Sequence, residues 1–141
     1  MAFILRQGKT KFIWLPVTVS TAIGADHLVA LSSGQLIEAT STTAGYSIVG
    51  VLRHAIASTD ADFAVERLVE VQVPVEKNTV WTADVTSGLV AADVGLYQDI
   101  TDGDHVARTA TTYDIVMCTK VISTTKGEFI LNIGPDAKEK A

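Results

Sequence analysis

From Val69 to Glu76 the chain alternates strictly, with Val69, Val71, Val73 and Val75 on one phase and Glu70, Gln72, Pro74 and Glu76 on the other. A period of two is that of a strand with one buried and one wet face. Pro74 has no N–H to give to a ladder, so this strand is expected at a sheet edge or at a bulge. Elsewhere short apolar runs are separated by Ser-Ser-Gly, Asp-Gly and Lys-Gly, which is the turn chemistry of hairpins. Helical signals are few: Thr59 to Leu68 offers one or two turns, opening on "TDAD" as an imperfect capping box.

The pattern is written twice. "IWLPVTVSTAIGADHLVAL" (13–31) and "VWTADVTSGLVAADVGLYQD" (80–99) each pass from an aliphatic residue and Trp through Thr and Val to a small-residue turn and a short apolar run. Trp14 matches Trp81 at a separation of 67, Leu28 matches Leu96 at 68, Gly34 matches Gly103 at 69, and Ile48 matches Ile115 at 67. The closing strands, Val69-Val71-Val73 and Phe129-Leu131-Ile133, match at only 60, which places about seven extra residues of the first half within Leu52 to Leu68. A strand-turn-strand unit cannot bury its apolar face alone, and two of them packed together close one core. The expected fold is all-β, a small barrel or sandwich built from two similar halves, about 12–76 and 79–134. An extended N-terminal arm (1–11) and a flexible C-terminal tail (135–141) complete it.

Composition agrees with strands. Thr (17), Val (17) and Ile (11) are abundant among 141 residues, of which 48% are hydrophobic but only 6% aromatic. With Cys118 as the single cysteine no internal disulfide forms, so stability rests on packing or on assembly. The apolar run Ala2 to Leu5 is short for a signal-peptide core, and no segment approaches the roughly 20 apolar residues of a membrane span, so a soluble protein made in the cytoplasm is expected. Net charge is -5, unevenly placed: Arg6, Lys9 and Lys11 give the first eleven residues +3 and leave -8 on the remainder. Such asymmetry marks an arm with a partner.

Candidate chemistry is sparse. His27, His54 and His105 are scattered, and Cys118 lies in the apolar run "DIVMCTKVI", the setting of a small core residue. In "DITDGDH" (99–105), Asp99, Asp102 and Asp104 offer oxygen ligands to calcium, but EF-hand spacing is missing and the matching turn of the first half, "LSSGQ", has no carboxylate. Asp26-His27 and Asp104-His105 look like dyads but fall at different points of the repeat, with no nucleophile placed by a motif. Phosphate loops, zinc spacings and dinucleotide fingerprints do not occur, and the acidic body argues against nucleic acid. No cofactor, no metal and no enzymatic activity are expected.

The segments "GADHLVALSSGQLIEATSTTAGYSIVGVL" and "VPVEKNTVWTADVTSGLVAADVGLYQDITDGDHVARTATTYDIVMCTKV", closing on "GEFILNIG", carry a resemblance across residues 17–134. The chain resembles the capsid cement or head-decoration proteins of tailed bacteriophages. It departs from them in "VGVLRHAIASTDADFAVERL", a longer connection than the family uses. The resemblance implies a β-rich protein without catalytic residues that binds the major capsid protein on the virion exterior, often as a homotrimer at threefold positions, and touches neither membrane nor nucleic acid. The expected contacts are Phe3, Ile4, Leu5, Arg6, Lys9 and Lys11 of the arm, which orders on binding, and His54, Asp60, Asp62, Glu66 and Arg67 of the long loop. The alternative for the arm makes Ile4 to Lys11 the first strand of the barrel. Two other functional classes compete. A carbohydrate- or ligand-binding β-module requires exposed aromatic platforms, and only Trp14, Trp81 and three tyrosines are available, several of them, like the matched Trp14 and Trp81, at repeat positions that suggest core. A small β-barrel enzyme requires a polar cluster that the sequence does not display.

Overall fold

Val, Ile and Thr crowd a helical backbone but pack well on a pleated surface. Among the described residues the chain accordingly forms eleven strands and no α-helix. The structure, a computed structural model, describes residues 3–17, 20–86, 88–108, 110–134 and 137. The strands are β1 (Ile4–Gln7), β2 (Thr10–Pro16), β3 (Leu28–Ser32), β4 (Gln35–Glu38), β5 (Ile48–Leu52), β6 (Leu68–Pro74), β7 (Val80–Val85), β8 (Tyr97–Asp102), β9 (His105–Ala107), β10 (Val116–Ser123) and β11 (Lys126–Leu131).

The two halves share one topology. β2 to β6 form a five-stranded sheet in the order β2-β6-β5-β3-β4, and an isolated parallel bridge from Val17 to Leu36 brings the end of β2 against β4. β7 to β11 repeat that order as β7-β11-β10-β8-β9, and the parallel pairing of Asp84 with His105 and of Val85 with Val106 closes a five-stranded barrel. The all-β architecture of two similar halves is therefore the one the chain adopts.

The repeat is slipped by one residue from its sequence match. Ile13 pairs with Val71 and Leu15 with Val69, whereas Trp81 pairs with Phe129 and Ala83 with Gly127. The equivalent of Trp81 is thus Ile13, 68 positions earlier, and Phe129 lies 58 positions after its counterpart Val71, so the first half carries ten additional residues rather than seven. One step along a strand reverses the face a side chain occupies. Trp81 is fully enclosed and Trp14 is 61% exposed.

Two apolar clusters result. Val17, Ile23, Val29, Leu36, Leu52, Ile56 and Val71 fill the first half. The second cluster, around Trp81, Phe129, Ile100 and Val106, extends across the junction to Leu28, Ala30, Ile48 and Val51 of β3 and β5. The outer side of the first sheet is therefore covered by the second barrel at β3 and β5 and left open at β2. Gly103 sits at this junction: a Cβ there would lie 2.7 Å from Glu38 Cγ and 2.9 Å from the Leu28 carbonyl oxygen. Its sequence counterpart Gly34 has φ of +79° and open space around it, so the two glycines answer different demands.

Three expectations give way. The arm is docked from Phe3 onward: Phe3 is fully buried, β1 pairs with β7 through Ile4–Thr82 and Leu5–Trp81, and β2 pairs with β6. Between them the chain crosses from one sheet to the other at Gly8, whose φ of +112° and approach to Thr79 exclude a side chain. Burial of Phe3 and the main-chain pairing of β1 outweigh the freedom of a loose end. β6 is not an edge strand but lies between β2 and β5. Pro74 is tolerated because it is the last residue of β6, and β5 pairs with β6 only at Gln72 and Val71. Residues 59–65 form successive turns instead of a helix, with Phe63 N–H donating to the Asp60 carbonyl at 3.2 Å and Val65 N–H to that of Asp62 at 3.0 Å. The expected tail, Ala137 apart, lies outside the described residues.

Candidate functional site

The ten extra residues of the first half build a wall beside the open part of β2. Asp60 begins it, accepting the Ala57 N–H at 3.0 Å and lying 3.0 Å from Arg67 Nη2, while the other guanidinium nitrogen of Arg67 holds Asp62. The Ala57 N–H and the Arg67 guanidinium hold the Asp60 carboxyl below the usual carboxylate range. Across the strand pair from Trp14 stands Glu70, with His54 Nε2 3.9 Å from its carboxylate. These side chains, with Leu68, Val69 and Ile56, line a depression of about 300 Å³ whose one aromatic wall is the Trp14 indole. Phe12 and Leu68, both exposed, extend its apolar margin.

Of the five loop residues singled out in the sequence, His54, Asp60, Asp62 and Arg67 meet at this depression. Glu66 turns away and accepts from Gln35 Nε2 at 3.1 Å. The arm residues are dispersed: Phe3 is enclosed, Ile4 and Leu5 are half-buried in β1, Arg6 lies 3.9 Å from Glu128, and Lys9 and Lys11 are exposed. Trp14, the aromatic member of the site, stands at a repeat position that its match to Trp81 marks as core, yet it is exposed. Alternation along β2 does not give the phase away, because charged Lys11 shares the phase of Ile13 and Leu15 while apolar Phe12 shares that of Trp14.

A second region lies where the sheets meet. Lys11, Lys77 and Glu76 rim a groove of about 290 Å³ whose floor is Ile13, Val49, Val73, Leu131 and Ile133.

A third brings together residues that the sequence leaves apart. His27 Nδ1 lies 3.1 Å from Glu38 Oε1, His27 Nε2 lies 3.7 Å from Asp104 Oδ2, and Asp104 Oδ1 lies 2.6 Å from His105 Nδ1. Glu38 also accepts the Gly103 N–H at 3.3 Å, so this chain of polar contacts ties β4 to the β8–β9 turn. Asp102 shares a hydrogen bond with Asp104 that raises its carboxyl pKa, with burial adding to the rise. Burial works against Asp104 as well, but the contacts with Asp102, His105 and His27 outweigh it and lower its pKa. The ligand atoms of Asp102, Asp104 and His105 lie within 4.8 Å of one another. Asp99 is not among them: it is buried and accepts the N–H groups of Thr112, Tyr113 and Asp114 at 2.9, 2.7 and 2.8 Å. The three aspartates of "DITDGDH" are thus divided between a loop anchor and the junction. Cys118 is enclosed, and burial pushes its thiol pKa up, which disfavours the thiolate a nucleophile needs.

Among the described residues no helix is long and apolar enough to cross a membrane. No protein-family model matches the chain, and no curated protein matches it.

Proposed function

We propose that this chain is a structural virion protein that binds the outer surface of a phage capsid and stabilises the shell, as a homotrimer whose partner is the major capsid protein. The groove between the sheets carries this reading. Its apolar floor of Ile13, Val49, Val73, Leu131 and Ile133, with Lys11 and Lys77 outnumbering Glu76 at the rim, suits an extended apolar segment flanked by acidic residues. The resemblance across residues 17–134 supports the same assignment, and the exposed Lys9 and Lys11 extend the basic margin. A protein that reinforces a shell needs surface that its neighbours can hold, and the apolar floor of this groove is the part of the molecule offered for that role.

Co-sedimentation with undecorated, expanded shells of the phage encoding it tests the proposal. Saturable binding that K11E weakens about tenfold or more at low salt is expected. Particle density should show the copies in threes. Failure to bind shells, or isolated single copies on them, overturns the respective half of the reading.

A further inference from the structure

We propose that the depression beside Trp14 is a carbohydrate subsite, which takes a neutral pyranose unit of a polysaccharide with its C–H face on the indole and its hydroxyls on Glu70, His54 and the Asp60–Arg67–Asp62 cluster. The inference is independent of shell binding, which uses the groove between the sheets.

Comparison of the two halves isolates the site. Both have the same strand order, yet the position of Trp14 is held in the second half by Thr82, whose hydroxyl donates to the Ile4 carbonyl at 3.2 Å. Only the first half has the long 52–68 connection, and that connection supplies His54, Asp60, Asp62 and Arg67. The element that breaks the repeat is therefore also the element that places polar groups next to the one tryptophan facing water. The core does not require an indole there, since Trp14 is 61% exposed and belongs to neither apolar cluster.

The polar groups select the ligand class. Arg67 engages both Asp60 and Asp62, so neither carboxylate of this pair is left without a partner for a bare cation to claim first, and with Glu70 the three carboxylates outweigh the one guanidinium and turn anions away. An apolar protein surface would have to strip water from Asp62 and His54, whose side chains are 54% and 86% exposed, without replacing their hydrogen bonds. A sugar satisfies both demands: its ring presents apolar C–H groups to the aromatic face, and its hydroxyls both donate to carboxylates and accept from guanidinium and imidazole. The Ala57 N–H and Arg67 fix Asp60 before any ligand arrives, which lowers the ordering cost of binding. The depression, about 300 Å³, is at the small end of ligand sites.

The two tryptophans make the test direct, because Trp81 is enclosed and Trp14 is the one a ligand can reach. The full-length protein is titrated with cellohexaose, xylohexaose and N-acetylchitohexaose while intrinsic fluorescence is followed. At least one should blue-shift the emission with Kd of about 1 mM or tighter. Calorimetry on the variants should then show W14A weakened about tenfold or more and W14F retaining most of the affinity. No response to any of the three sugars overturns the proposal, as does binding that W14A leaves unchanged. Shell binding by W14A should equal that of the parent protein, which separates the fate of this inference from that of the capsid reading.

Discussion

Trp14 and Trp81 stand on matching strands one residue out of phase, so that one indole faces water while the other, enclosed, donates its N–H to Thr79 Oγ1 at 3.3 Å. Removing each should therefore have opposite consequences. W81A is expected to lose about 3–5 kcal/mol of stability, since it empties the centre of the larger cluster. W14A is expected to stay within about 0.5 kcal/mol of the parent. Urea denaturation measures both, and equal losses would show that the phase assigned to β2 is wrong.

The N-terminal strand should prove structural. Phe3 is fully buried and β1 covers the stretch of β7 edge, Val80 to Thr82, that β9 leaves free. F3A is predicted to cost about 3–5 kcal/mol, and deletion of residues 2–9 to cost more or to prevent folding. A deletion protein that melts within a few degrees of the parent would restore the free arm.

Acid should weaken the protein through carboxylates held below the usual range, Asp93 and Asp60 in addition to Asp104. In Asp93 the Arg108 guanidinium, at 2.7 Å, and the Val90 N–H lower the pKa, while in Asp60 the Ala57 N–H and Arg67 do so. A carboxyl whose folded pKa lies below its unfolded one stabilises fully above the unfolded value, about 4, and loses that contribution as pH falls through the folded value. Urea midpoints are expected to be flat from pH 7 to about 5 and to decline below it. D93N should be less stable at pH 7 and show a shallower decline; an unchanged decline would assign the acid sensitivity elsewhere.

Asp99 should matter through its loop. Three backbone N–H groups, of Thr112, Tyr113 and Asp114, converge on this buried side chain. D99A is predicted to lose about 3 kcal/mol, because charged acceptors are the costly ones to remove. Hydrogen exchange at 112–114 should accelerate in the variant, and protection equal to the parent's would refute the anchor.

Melting curves with and without a chelator should superimpose. The junction carboxylates are already engaged by His27, His105 and the Gly103 and Asp104 N–H groups. A chelator-induced fall of several degrees would assign a bound cation to Asp102, Asp104 and His105, since a ligand held only by the folded state stabilises it.

The sequence carried the strand content, the two halves and the long connection, because period-two alternation and turn residues are local signals. It misplaced Trp14 for a physical reason: the likeness of "IWLP" to "VWTA" is one of residue type, whereas the face is set by pairing, and Ile13 opposite Val71 decides it. Pro74 misled because its missing N–H is harmless at the end of a strand that β5 has already left. His27, Glu38 and Asp104 were illegible as a group, since only the packing of one half on the other brings them together. The four polar loop residues were picked out by their place in an insertion. That they face an indole was visible only in three dimensions.

The seat of β1 also governs how the chain is made. Ile4 pairs with Thr82, 78 positions downstream, so the first strand leaves the ribosome roughly 4–16 s before its partner at ordinary synthesis rates. During that interval Phe3 is uncovered while β2 to β6 can already assemble. The final seam then closes between the oldest and a much younger part of the nascent chain, a contact of high sequence separation and correspondingly slow formation. Crowded ribosomes let β1 of one molecule reach β7 of another first, so intertwined pairs exchanging their N-terminal strands are the assembly error that strong overexpression invites.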